Sequence, residues 1–151
     1  MAKFTGDYEE VLMVNASIEQ AKAHFGNVDI IAATMRAAES VQKTDPQTLH
    51  IKLKPQTAQG TTFQGEHHCR YSFTSPDVLE WHSVGQGNMR IDGRARFVRE
   101  GNRTKVEWKE VVETEIPVNF VLGKLISPIV SHEIKRGSKG FAEAMCKSLG
   151  A

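Results

Sequence analysis

Apolar and polar residues alternate through the middle of this chain, and the spacing turns helical near its end. Leu49, Ile51 and Leu53 alternate with His50, Lys52 and Lys54, which predicts a strand with one buried face, and Pro55 to Gly60 reads as a turn. Thr62 to Phe73 reads as one continuous strand, with His67, Cys69 and Tyr71 on one face and His68 and Arg70 on the other. Val78 to Val84 groups Leu79, Trp81 and Ser83. Met89, Ile91, Gly93, Ala95 and Phe97 then alternate against Arg90, Asp92, Arg94 and Arg96. Glu100-Gly101-Asn102 predicts a hairpin turn, after which Val106, Trp108, Glu110, Val112 and Thr114 share one face. These period-two runs predict an antiparallel sheet of six or seven strands.

The two ends read differently. Tyr8 to Ala16 predicts a first strand, and Ser17 is placed to cap a short helix from Ile18 to Phe25. Gly26-Asn27 breaks that helix. From Val28 the apolar positions Ile30, Ile31, Met35, Ala38 and Val41 have helical spacing, so a second short helix or irregular turn is expected, ending before Ser40. Pro117 ends the sheet. Phe120, Ile126, Val130, Ile134, Phe141, Met145 and Leu149 then form the apolar stripe of a long amphipathic C-terminal helix that must meet the sheet. Pro128 fits either the first turn of a helix capped by Ser127 or a kink in a helix begun near Val118. Gly137 and Gly140 weaken that helix by about 1 kcal/mol each relative to alanine, which points to close packing or a flexible lid.

Composition narrows the class. The chain has 151 residues, which fits a single domain spanning 1–151 with a core large enough to need no disulfide or metal. With 40% hydrophobic and 25% charged residues and a formal charge of +1, neither a disordered chain nor a strongly basic nucleic-acid module is expected. Only two cysteines occur, Cys69 and Cys146, and the first residues lack the apolar core of a signal peptide, so a reducing cytoplasm is the expectation. The apolar stretch from Phe120 to Val130 is broken by Gly123, Lys124, Ser127 and Pro128 and is too short for a membrane span. No repeat, Walker loop, Rossmann fingerprint, Cys-x-x-Cys pair or zincin motif is present, so no cofactor is called and function must come from fold and cavity.

Three stretches carry a resemblance. They are Val14-Asn15-Ala16-Ser17-Ile18-Glu19-Gln20-Ala21, then Val78-Leu79-Glu80-Trp81 followed by Met89 to Phe97, and Gly101-Asn102-Arg103-Thr104-Lys105-Val106-Glu107-Trp108. In this order the chain resembles the START-related, polyketide cyclase/dehydrase-like (SRPBCC) helix-grip superfamily, which includes lipid-transfer, pollen-allergen-like and coenzyme Q-binding proteins. The resemblance covers nearly the whole chain. It implies an α+β helix-grip fold: a curved antiparallel sheet wrapped around one long C-terminal helix, with two short helices after the first strand. It also implies an elongated cavity between sheet and helix for a hydrophobic small molecule. Such a fold hosts both enzymes and carriers and does not decide between them.

Glu110 is the sharpest anomaly in the pattern, a carboxylate among apolar neighbours. Facing inward it becomes a candidate general acid or base, or a polar anchor for a ligand hydroxyl; a bulge that turns it outward, or an arginine partner, makes it structural. His67, Cys69 and Tyr71 share the expected inner face and are candidate ligand-orienting groups, or else hydrogen-bonded core residues. A metal on His67, His68 and Cys69 is not expected, because His68 points to the opposite face. Trp81, Phe97 and Trp108, with Phe120, Ile126, Val130 and Ile134 from the helix, are candidate cavity-lining residues. Arg90, Arg94, Arg96, Arg99 and Arg103 read as a solvated sheet face balanced by Glu107 and Glu113. His24, His50, His82 and His132 read as exposed.

The reading favours binding or transport of a hydrophobic small molecule such as a lipid, quinone, isoprenoid or polyketide. A cyclase/dehydratase-like enzyme using Glu110 with His67 or Tyr71 is the alternative, and an interaction module with a filled core is a third. The expected partner is an apolar ligand and not nucleic acid. Transient membrane contact and oligomeric state stay open.

Overall fold

The computed structural model describes residues 2–150. The first strand, β1 (Ala2–Val14), leads into α1 (Ile18–Phe25) and α2 (Val28–Thr34). Six strands of the main sheet follow: β2 (Ala38–Asp45), β3 (Thr48–Leu53), β6 (Glu66–Ser75), β7 (Val78–Val84), β8 (Met89–Glu100) and β9 (Arg103–Ile116). Between β3 and β6 lies a small hairpin, β4 (Gln56–Ala58) and β5 (Thr61–Phe63), and the chain ends in α3 (Phe120–Ser148). The seven-stranded sheet has the order β1-β9-β8-β7-β6-β3-β2, and each neighbouring pair is antiparallel. This is the helix-grip arrangement.

Local chemistry explains most boundaries. Ser17 and Gln20 form a reciprocal capping box at α1, the pairing that satisfies two otherwise orphaned N–H groups. Gly101, at φ 61°, closes the two-residue turn between Glu100 and Arg103. Asn119 caps α3 by accepting from the Leu122 N–H at 2.8 Å, so the helix begins near Val118 with Pro128 inside it, and Ser127 is not its cap.

Four sequence expectations are corrected. The first strand starts at Ala2 and not Tyr8, because Phe4, Gly6 and Tyr8 already alternate inward against β9; Val11 and Met13 are exposed and make the later half look like its centre. Ala38 and Val41 belong to an edge strand. A register shift between Ala38 and Ser40 changes the phase of β2, so residues three apart end on one face and imitate a helix. Thr62 to Phe73 is two strands, interrupted where Asn88 donates to the Gln64 carbonyl and accepts from the Glu66 N–H. The expected turn at Pro55 to Gly60 contains β4, and Gln59 and Gly60, both at positive φ, reverse it.

Two packed clusters bracket the space between sheet and helix. At one end Phe25 makes edge contacts with Phe97 and Trp108, and Ala142 and Met145 of α3 close over them. At the other end Phe4, Ile116, Val118 and Ile126 pack together. Along one side α3 lies on β1: a Cβ on Gly6 would come within 2.6 Å of Ile134 Cγ2, and Ser131 Oγ donates to the Thr5 carbonyl at 3.1 Å. Close packing does not extend to Gly137 and Gly140, where an added Cβ meets nothing within 4 Å. Gly140→Ala should therefore stabilise the protein by about 1 kcal/mol through helix propensity alone, read as a higher urea midpoint at unchanged slope. Among the described residues no helix is both long and apolar enough to cross a membrane.

Candidate functional site

A cavity of about 540 Å³ separates the two clusters. Its floor is the concave face of β3, β6, β7, β8 and β9, its roof is α3 from Ile126 to Phe141, and residues of the β4–β5 hairpin also line it. The walls are mostly apolar. A minority of the lining residues are polar, Lys54 and Glu133 among them, and the strand register places those that belong to the sheet.

One row crosses five strands: Tyr71 opposite Trp81, Trp81 opposite Gly93, Gly93 opposite Glu110, and Glu110 opposite Tyr8. Gly93 is the gap in this row. A Cβ there would overlap Nε1 and Cε2 of Trp81, so the absent side chain lets the indole lie across β8. The indole N–H then donates to Glu110 Oε1 at 2.8 Å. Glu110 is buried, 7% exposed, and lines the cavity. Burial raises its pKa above the usual carboxylate range, while side-chain hydrogen bonds from Ser138 and Trp81 hold it partly back. Among the described residues this carboxyl has no cationic partner, and it holds a proton at a higher pH than a surface glutamate.

Tyr71 stacks with Trp81 at 6.1 Å between ring centroids, and burial pushes its phenol well above the ordinary value. His67 also lines the cavity, from β6. Its Nδ1 is 2.9 Å from Ser83 Oγ, which also accepts from the Ile91 N–H at 2.8 Å. Burial, aided by the neighbouring charges of His68, His50 and Arg90, lowers the imidazole pKa to about 4. His67 is therefore uncharged at neutral pH. His68 lies on the opposite face, where its ring stacks on His50 at 4.2 Å, and Nε2 of that His50 is 2.6 Å from Glu66.

The structure thus brings His67, Tyr71, Trp81, Glu110, Ile126, Val130 and Ile134 to one cavity and leaves four expected residues outside it. Cys69, Phe97 and Trp108 share the inner face but belong to the packed cluster and do not line the cavity; the Cys69 thiol is pushed up to about 12 by burial. Phe120 is a correction of another kind. It is 73% exposed, because the inward row of α3 runs Leu122, Ile126, Val130, Ile134, and a residue two positions from Leu122 lies on the far side of a helix. Lys124 covers its ring at 4.7 Å. The histidines also need amendment: His82 and His132 are exposed, but His24 and His50 are half-buried, with His24 Nε2 3.0 Å from the Met145 carbonyl. The five arginines are exposed, and Arg96 pairs with Glu107 at 3.5 Å.

Ser138 and Thr114 are cavity residues that the pattern contained and the reading passed over. Ser138 continues the row Ile126, Val130, Ile134 at intervals of four, and Thr114 shares the face of Glu110; each was hidden by being polar in an apolar stripe.

No family model matches the sequence, and neither does any curated protein. Solved structures do. A START superfamily protein from Mycobacterium smegmatis aligns over 95% of this chain and 97% of its own at 15% identity and TM-score 0.70. The Zhui aromatase/cyclase from Streptomyces sp. R1128 aligns over 97% and 94% at 12% identity and TM-score 0.67. Norcoclaurine synthase from Thalictrum flavum, in complex with a transition-state analogue, aligns over 99% and 96% at 12% identity and TM-score 0.63. At these identities the likeness is one of fold.

Proposed function

We propose that this chain binds, and carries, a hydrophobic small molecule of the lipid, quinone, isoprenoid or polyketide type in the cavity between sheet and α3. The observation that supports this reading is the cavity itself, about 540 Å³ of mainly apolar space with a minority of polar lining residues. Apolar walls supply affinity, while a few placed donors and acceptors fix orientation. An interaction module with a filled interior is correspondingly disfavoured. A reducing cytoplasm remains the proposed location, which the two free thiols of Cys69 and Cys146 suit.

The catalytic reading is retained because of Glu110. A buried carboxyl of raised pKa in one row with Tyr71 has the makings of a general acid, as a cyclase or dehydratase would use. Glu110→Gln separates the two readings, since it keeps size and the acceptor for Trp81 while removing ionisation.

The test begins with an uncharged apolar fluorophore, N-phenyl-1-naphthylamine, titrated against the emission of the Trp81 and Trp108 pair. Saturable binding reversed by a lipid or quinone is expected, with affinity within about twofold in Glu110→Gln, since no charge on the probe engages the carboxyl. No saturable binding across several apolar probes would sink the carrier reading. Native mass spectrometry of protein purified from its own host then names the bound molecule, and turnover of that molecule, abolished in Glu110→Gln, would move the assignment to the enzyme.

A further inference from the structure

Two buried side chains have polar atoms without a partner among the described residues: Trp108 Nε1 and Thr114 Oγ1. They differ in setting. Trp108 lies in the packed cluster, whereas Thr114, 4% exposed, lines the cavity. Its register neighbours are Met89 on β8 and Phe4 on β1, neither of which offers the hydroxyl a side-chain hydrogen bond. A valine of the same shape would fill the position without leaving a buried hydroxyl unsatisfied. The hydroxyl belongs to a cavity that, in the reading above, is built to be filled.

Glu110 and Thr114 lie on the same face of β9, four residues apart, hence separated by about 13 Å of strand. Val112 stands between them, and Ile91 is its neighbour on β8; both line the cavity. The lining residues of this strand thus run Glu110, Val112, Thr114, and the hydroxyl oxygen of Thr114 is shielded from the cavity surface in its present rotamer. We propose that the cavity takes a two-headed ligand, an elongated apolar molecule with a hydrogen-bonding group at each end, one held by the Glu110 carboxyl and the other by the Thr114 hydroxyl. This rests on the ligand-binding reading and adds to it the polarity pattern of the ligand. A molecule with one polar head, such as a simple fatty alcohol, can engage only one of the two groups. A χ1 rotation of Thr114 exchanges its hydroxyl and methyl, which allows the hydroxyl to turn toward the second head.

The experiment uses straight-chain alcohols as probes: octanediol, decanediol and dodecanediol with a hydroxyl at each end, against octanol, decanol and dodecanol. Each is measured by displacement of N-phenyl-1-naphthylamine. The quantity read is the ratio of diol to mono-alcohol affinity at equal length, in wild type, Thr114→Val and Thr114→Ser. In wild type the ratio should peak at one chain length. Thr114→Val should lower that peak about tenfold while leaving mono-alcohol affinity within about twofold, and Thr114→Ser should keep it. Thr114→Val should also unfold at the same or higher urea concentration, so loss of binding cannot be loss of fold. A ratio that is flat with length, or unchanged in Thr114→Val, overturns the two-headed ligand while leaving the cavity reading intact. If neither the fluorophore nor any alcohol binds, the cavity reading fails and this inference with it.

Discussion

Gly93→Ala is expected to destabilise the protein by about 2 kcal/mol and to weaken binding of an apolar probe, although residue 93 is a small position in mid-strand. The added methyl overlaps the Trp81 indole at Nε1 and Cε2. Trp81 cannot swing away freely, since Tyr71 stacks on one side of it and Trp108 lies 4.7 Å off on the other. Displacement therefore breaks the 2.8 Å bond to Glu110 and pushes the ring toward the cavity. With that donor gone, one of the two groups holding the Glu110 pKa down is lost, so the carboxyl should titrate higher still. Urea unfolding gives the stability and carbon-13 NMR of the Glu110 carboxyl gives the titration. A double cycle supplies the decisive comparison: Trp81→Leu removes the overlapping ring atoms, so its cost and that of Gly93→Ala should be strongly non-additive. Additive costs would show that Gly93 acts through something other than the indole.

This coupling also marks what the sequence could and could not disclose. The alternation from Val106 to Thr114 was enough to turn Glu110 inward, because β9 runs without a bulge between β1 and β8. It was not enough to supply a partner, because Trp81 is two strands away and reaches Glu110 only across a glycine. Periodicity assigns a residue to a face but not to a position along it. For that reason Phe97 and Trp108, on the correct face, fall in the packed end, while Ile91 and Val112, two residues or more along, line the cavity. The β2 error has the same root. A single register shift lets Ala38 and Val41 share a face at a spacing of three, and nothing local separates that from one turn of helix. Phe120 fails for a rotational reason: an apolar residue at the first turn of a helix belongs to the stripe only if its angle matches, and two residues from Leu122 it does not.

Acid should act on stability in two opposed directions, one through His67 and the other through Glu110. The folded pKa of His67, about 4, lies below the unfolded value of 6.5, so it contributes stability that is complete above about pH 6.5 and is lost as the pH falls through about 4. Keeping the imidazole neutral across that interval corresponds to roughly 3 kcal/mol. Glu110 works the other way. Its folded pKa is raised, so its contribution is greatest below the unfolded value of 4.5 and is lost as the pH rises through the folded value. The two partly cancel in the wild type, and single variants separate them. His67→Gln, able to keep a hydrogen bond to Ser83, should flatten the loss of stability between pH 6.5 and 4. Glu110→Gln should steepen it, because it removes the gain that opposes His67. Urea midpoints taken at half-unit steps from pH 7.5 to pH 4 read both effects in one series. Parallel curves for wild type and His67→Gln would mean that the imidazole takes up its proton without opening the fold, and the buried, neutral His67 described here would have to be abandoned.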